Sequence, residues 1–238
     1  MYRIARIVDA SEFLDFKVEY DAQTICGRAY IHGMPVGIIS NNGPITVKGA
    51  TKAGQFMQLC DQADIPLVFL MNTTGFMVGS ESEQGGIVKH GSKMVQAVAN
   101  VRVPRITVVI GASFGAGNYG MSGRGFRPDF IFAWPNARTA VMGGEQAAKV
   151  LSIVTRDKWI KEGKEVTAEV EQQWAAMESS VIKQFDRDSH PLAGTARLYD
   201  DGLIDPRDTR RVLAYTLSIC REARSRPVKS NSFGVARF

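Results

Sequence analysis

From Pro35 to Val150, short apolar runs alternate with longer stretches whose apolar residues recur every three or four positions. That is the pattern of strands linked by amphipathic helices in a largely parallel sheet. Val36–Ser40, Leu67–Met71, Arg105–Ile110 and Phe130–Trp134 predict strands, and residues near Lys48–Ala63 and Ile87–Val101 predict helices between them. In the second helix Ile87, Gly91, Met94, Val95, Val98 and Ala99 share one face, with Lys89, Lys93 and Gln96 turned away, so the apolar stripe is expected on the sheet. His32 reads as a turn residue between two strands, and His90 as a residue on the exposed or partly buried side of its helix.

After Val150 polar stretches with helical periodicity run over Asp157–Arg187 and Asp208–Arg224, joined by loops around His190-Pro191 and Asp200-Asp201-Gly202. Asp205 is expected to cap the last helix, Pro206 suits its first turn, Asp208 complements its N-terminal charge, and Pro227 forbids continuation. The expected organisation is one domain over residues 1–238, with a core from about 20 to 150 and a helical appendage from about 151 to 238. Trp159, Trp174, Phe185 and Tyr215 would be exposed apolar residues of that appendage, covering its own sheet or a neighbouring subunit.

The longest apolar runs, Ile65–Met71 and Ile106–Ile110, are strand-length and far short of a membrane span. The first residues mix charges with apolar side chains, unlike a signal peptide, so a cytoplasmic or organelle-matrix protein is expected. Cys26, Cys60 and Cys220 lack the number and spacing of a disulfide framework or zinc site and read as buried thiols. The net charge of +5 is spread among acids without a basic run, which argues against nucleic acid as a partner. An anionic group such as coenzyme A suits its sign.

Two glycine-rich turns follow predicted strands: Asn72–Gly79, NTTGFMVG, and Gly111–Gly120, GASFGAGNYG. Glycine lets backbone approach a ligand closely, and a helix starting after such a turn aims unpaired N–H groups at it, as in an oxyanion hole. Tight strand-to-helix packing selects glycine equally, so both readings stay open here. Gly111–Gly115 also matches GxSxG, the nucleophile elbow of serine hydrolases. A triad would then join Ser113 to His190 and to Asp157, Asp186 or Asp188, although the further GAGNYG has no place in that motif. In Met142–Ala148, MGGEQAA, a glycine turn opens a helix with Glu145 in its first turn, which capping alone explains. No metal-ligand spacing, P-loop or dinucleotide fingerprint occurs.

Asn41–Gly79 (NNGPITVKGATKAGQFMQLCDQADIPLVFLMNTTGFMVG) and the stretch from GGIVKHGSKM to MGGEQAAKVL resemble the C-domain of methylcrotonyl-CoA and geranyl-CoA carboxylase beta subunits. DDGLIDPRDTRRVL and the terminal FGVARF extend the resemblance over essentially the whole chain. It implies an α/β crotonase (ClpP/crotonase-like) superhelix of ββα units with a C-terminal helical appendage. It also implies a carboxyltransferase that moves CO2 from carboxybiotin, borne on a separate carrier domain, to the γ carbon of a branched α,β-unsaturated coenzyme A thioester. The implied partners are an acyl-CoA-binding N-domain, a biotin carboxylase and biotin carrier subunit, and further copies in a hexamer; the chain is expected to start near the junction with that N-domain and to be inactive without it.

Carried over residue by residue, the resemblance assigns the Ala116 and Gly117 N–H groups to an oxyanion hole for the biotin ureido oxygen. It assigns the Phe76 carbonyl, with Gly75 and Gly115 beside the two turns, to cofactor binding. Thr74-Gly75-Phe76 stands where propionyl-CoA carboxylases read PGF, which points to the methylcrotonyl and geranyl branch. The turn favours a terpenoid-like substrate within it. A non-catalytic oligomerisation domain is the remaining alternative.

Overall fold

In the computed structural model, which describes residues 2–227, a seven-stranded sheet lies between two helical layers. Strands β1 (Leu14–Asp15), β2 (Thr24–Ile31), β3 (Met34–Asn41), β4 (Leu67–Thr73), β5 (Arg105–Phe114) and β6 (Phe130–Ala133) follow in that order. The strand β7 (Arg138–Ala140) pairs with the far end of β5. Pairing is antiparallel from β1 to β3 and parallel from β3 to β6. The helices are α1 (Tyr2–Ala5), α2 (Val47–Gln62), α3 (Ser80–Gln84), α4 (Ile87–Asn100), α5 (Gly117–Gly120), α6 (Gly144–Lys161), α7 (Ala168–Asp188), α8 (Pro191–Ala196) and α9 (Thr209–Ser225).

The two-residue period of a strand decides which layer each side chain joins. Leu67, Phe69 and Met71 of β4 enter a core with Phe56, Met57 and Met94 of α2 and α4, whereas Val68 and Leu70 enter a second core with Ile4, Leu213 and Leu217. Both faces of the parallel strands are therefore buried, which is why these strands read as unbroken apolar runs. His32 and Gly33, with φ of 50° and 74°, form the two-residue turn between β2 and β3, a conformation suited to tight hairpins.

Several expectations need correction. On α4 the buried residues are Ile87, Gly91, Met94, Ala97 and Val98, and Ala99 is exposed, so the stripe is rotated from the face read in the sequence. The stretch Asp157–Arg187 is not one helix: α6 begins at Gly144, ends at Lys161 before Gly163 at φ 67°, and α7 restarts after Thr167, whose hydroxyl accepts the Val170 N–H. Trp174 is buried rather than exposed, edge-on to Trp159 with ring centroids 6.0 Å apart.

Trp159 and Phe185 are half-buried, and the expected loop at His190-Pro191 is the start of α8. Asp205 accepts the Arg207 N–H and starts a short 3-10 turn, Pro206–Asp208, ahead of α9. The FGVARF segment, residues 233–238, lies outside the described residues. All three cysteines are buried, and burial pushes the Cys60 and Cys220 thiols up to about 11 and Cys26 further still.

The Trp134 indole N–H donates to the buried Thr209 hydroxyl at 2.9 Å, joining the sheet to the start of α9. Thr209→Val keeps the shape but leaves that N–H without a partner. A loss of about 1–3 kcal/mol in urea unfolding is expected, with the m-value unchanged.

Candidate functional site

Parallel pairing brings the C-terminal ends of β3, β4 and β5 to one edge, and Asn72 knots them together. Its backbone N–H donates to Asn41 Oδ1, its Nδ2 to Asn42 Oδ1, its carbonyl accepts the Gly43 N–H, and its Oδ1 accepts the Ala112 N–H at 3.0 Å. A side chain on Gly111 would occupy the place of that Oδ1. Both glycine-rich turns leave from this knot.

The first turn places Phe76. Ile45 pairs with it in a parallel bridge, its N–H donating to Gly75 O at 2.8 Å and its carbonyl accepting the Met77 N–H at 2.9 Å. Such a bridge uses the flanking residues and leaves the N–H and C=O of Phe76 facing the other way. Among the described residues nothing donates to the Phe76 carbonyl. The ring is seated where Gly91 of α4 and Gly120 of α5 leave room, since a Cβ on either would lie 3.1 or 3.2 Å from it.

The second turn supplies donors. The Gly115 N–H is engaged by Ala140 O at 3.1 Å, and Asn118 N–H returns to Gly115 O, but the N–H groups of Ala116 and Gly117 meet no acceptor among the described residues. Gly75 and Gly115, at φ 122° and 56°, turn the chain and spend their own N–H groups internally, Gly75 on the Thr73 hydroxyl. The two turns touch: a Cβ on Gly117 would come within 2.9 Å of Gly75 Cα. An unpaired acceptor and two unpaired donors thus sit at one edge, all of them backbone groups. Beside them a cavity of about 540 Å³ runs past Ala116, Tyr119 and Val141 to His190 and Tyr199.

The hydrolase constellation does not form. Ser113 lies inside β5 rather than on an exposed elbow, is fully buried, and its Oγ accepts from Asn118 Nδ2 at 2.8 Å. His190 uses Nδ1 to accept the Leu192 N–H and cap α8, and Asp188 pairs with Arg197 at 3.6 Å. Among the described residues no histidine bonds Ser113. His90 instead meets the Thr51 hydroxyl at 2.9 Å.

Sequence reading missed Asn72, Asn118 and Thr73, because Asn72 and Thr73 act by bonding the backbone of strand ends and turns and Asn118 by bonding the buried Ser113 hydroxyl. The one signal available was their placement at the ends of the predicted strands beside the glycines.

The carboxyl transferase domain family matches residues 2–232 of the chain. Among curated relatives, the mitochondrial methylcrotonoyl-CoA carboxylase beta chain of Dictyostelium discoideum is 50% identical over 99% of this chain. The biotin-dependent 3-methylcrotonyl-coenzyme A carboxylase beta1 subunit of Mycobacterium tuberculosis is 48% identical over 99%. This chain spans 39% and 43% of the length of those two relatives. The crystal structure of the P. aeruginosa geranyl-CoA carboxylase beta subunit superposes with a TM-score of 0.91 at 59% identity, covering 100% of this chain and 44% of that one. A transcarboxylase 12S structure, described as a hexamer assembly, matches at TM-score 0.82 and 32% identity over 98% of this chain and 44% of that one. The crotonase-like α/β architecture is therefore shared with solved carboxyltransferases, and by sequence and fold alike the chain belongs to the carboxyl transferase domain family.

Proposed function

We propose that this domain is the carboxybiotin-binding half of a biotin-dependent acyl-CoA carboxyltransferase acting on a branched enoyl-CoA, geranyl-CoA or 3-methylcrotonyl-CoA. The observation that carries the reading is the free Phe76 carbonyl facing the same edge as the free Ala116 and Gly117 N–H groups. A cyclic urea needs that complement, one acceptor for its N–H and donors for its oxygen, and the bare Gly117 gives it close backbone approach. Carboxybiotin, when bound, supplies the carboxyl group. The two N–H groups orient the ureido oxygen and stabilise charge that develops there, and the Phe76 carbonyl fixes the ring by its N–H. Donors already aimed at developing charge need no reorganisation during the reaction.

An enoyl-CoA half-site is expected on an N-domain, with a biotin carboxylase and carrier subunit supplying carboxybiotin and further copies completing a hexamer. The outer side of α6 supports a shared cleft: Val150, Ile153, Val154 and Ile160 are exposed there, an apolar stripe of the kind that a neighbouring protein surface covers. Among the described residues no helix is long and apolar enough to cross a membrane. Cytoplasm or mitochondrial matrix is the proposed compartment, the latter supported by relatives named as mitochondrial.

The test uses the complete beta subunit assembled with its biotin-bearing partner. Biotin-dependent carboxylation of geranyl-CoA or 3-methylcrotonyl-CoA is expected, with kcat/KM compared under one set of conditions. A hydrophobic pocket separates chain lengths by about 1–3 kcal/mol per methylene, and these two thioesters differ by several, so a marked preference for one of them, geranyl-CoA on the turn sequence, is expected. Activity indifferent to biotin, or labelling of Ser113 by a fluorophosphonate, would overturn the reading.

A further inference from the structure

Thr73, the last residue of β4, touches both turns of the site without reaching solvent. It is fully buried, and its Oγ1 accepts the Gly75 N–H and donates to the Gly75 carbonyl, both at 3.2 Å, closing the turn that precedes Phe76. Its methyl points at the other turn: a Cβ on Gly117 would lie 2.8 Å from Thr73 Cγ2. Across the sheet its backbone pairs with Ser113, whose side chain is held by Asn118, one residue beyond Gly117. One side chain therefore stands between the acceptor turn and the donor turn.

We propose that Thr73 is a positioning residue whose β-methyl is the spacer between the Phe76 carbonyl and the Gly117 N–H. The inference rests on the ureido-binding reading above and adds the element that sets its span. The two branches of Thr73 have separable tasks. The hydroxyl shapes the Gly75 turn locally, whereas the methyl alone meets the turn that carries the donors. Serine keeps the first and removes the second; valine does the reverse. Without the methyl the Gly117 turn settles toward β4, and a donor displaced by a fraction of an ångström no longer meets a ligand held by Phe76.

The experiment uses the complete beta subunit and free biotin as acceptor. The carboxyl carbon leaves the γ carbon of the carboxylated enoyl-CoA and bonds a biotin ureido nitrogen, whose proton passes to the γ carbon. Thr73→Ser is expected to lower kcat about tenfold, leaving KM for the thioester and the thermal midpoint near wild type. Thr73→Val, which keeps the methyl but leaves the buried Gly75 N–H without its hydroxyl partner, is expected to recover most of that kcat loss while lowering the thermal midpoint. Wild-type kcat in Thr73→Ser overturns the spacer, as does a Thr73→Val enzyme as slow as the serine variant. Ala116→Pro in the same assay separates the two levels: if it alone collapses, the ureido site stands and only the spacer fails. If it too is unaffected, the ureido reading itself is lost.

Discussion

Ala116→Pro is expected to lower carboxyl transfer by about two to three orders of magnitude, the usual cost of removing one oxyanion donor. The substitution is well matched to its place. Ala116 has φ −67°, the value a proline ring imposes, and it stands immediately before the first residue of α5, where a missing N–H is tolerated. The residue before it is Gly115, with no Cβ to oppose the proline ring, and Ala116 itself is exposed. What disappears is one N–H that meets no acceptor among the described residues. Stability and KM for the acyl-CoA should stay near wild type while kcat falls, which steady-state kinetics of the complete enzyme would read directly. Turnover within a few-fold of wild type would remove Ala116 from the mechanism.

Gly117→Ala is expected to reach a similar deficit by a different route, since it keeps the donor. Its Cβ would meet Thr73 Cγ2 at 2.8 Å, Gly75 Cα at 2.9 Å and Gly75 N at 3.2 Å. Two of these atoms are backbone and cannot rotate aside. Alanine gains up to about 1 kcal/mol of helix propensity over glycine, but overpacking a filled site costs about 1–3 kcal/mol, so the clash prevails. Relief comes by parting the turns, and a displacement approaching 1 Å at a reacting centre costs about a hundredfold in rate. The thermal midpoint should fall together with kcat, in contrast to Ala116→Pro. An alanine variant with wild-type turnover would mean that the close contact of the turns does not set the site.

The strands and the first two long helices were legible because their periodicity is strong: the run Leu67–Met71 reads apolar throughout since both faces of β4 are buried. The hairpin at His32 was legible from its glycine. Phase on α4 was not, because Ala97 and Ala99 are equivalent to a pattern reader, and only packing against α2 decides between them. The break between α6 and α7 escaped notice because Gly163 and Thr167 interrupt a stretch that stays polar on both sides. The placement of Phe76, Ala116 and Gly117 followed from the family resemblance and the rule that parallel strands end at one edge. What no linear pattern carries is the contact between Gly75 and Gly117, which lie 42 positions apart and meet only through sheet register. The same holds for Asn72, whose four hydrogen bonds reach two other segments, residues 41–43 and Ala112 of β5.

The site at this edge consists of one peptide carbonyl and two peptide N–H groups. None of these ionises at any pH at which the chain stays folded, so the site has no protonation state that its surroundings must tune. Carboxylates and imidazoles adapt to their environment by titrating; backbone groups adapt only by being moved. On the proposed reading, none of these three groups can take up or give a proton during carboxyl transfer, and they would add no titration of their own to the acid–base profile of turnover.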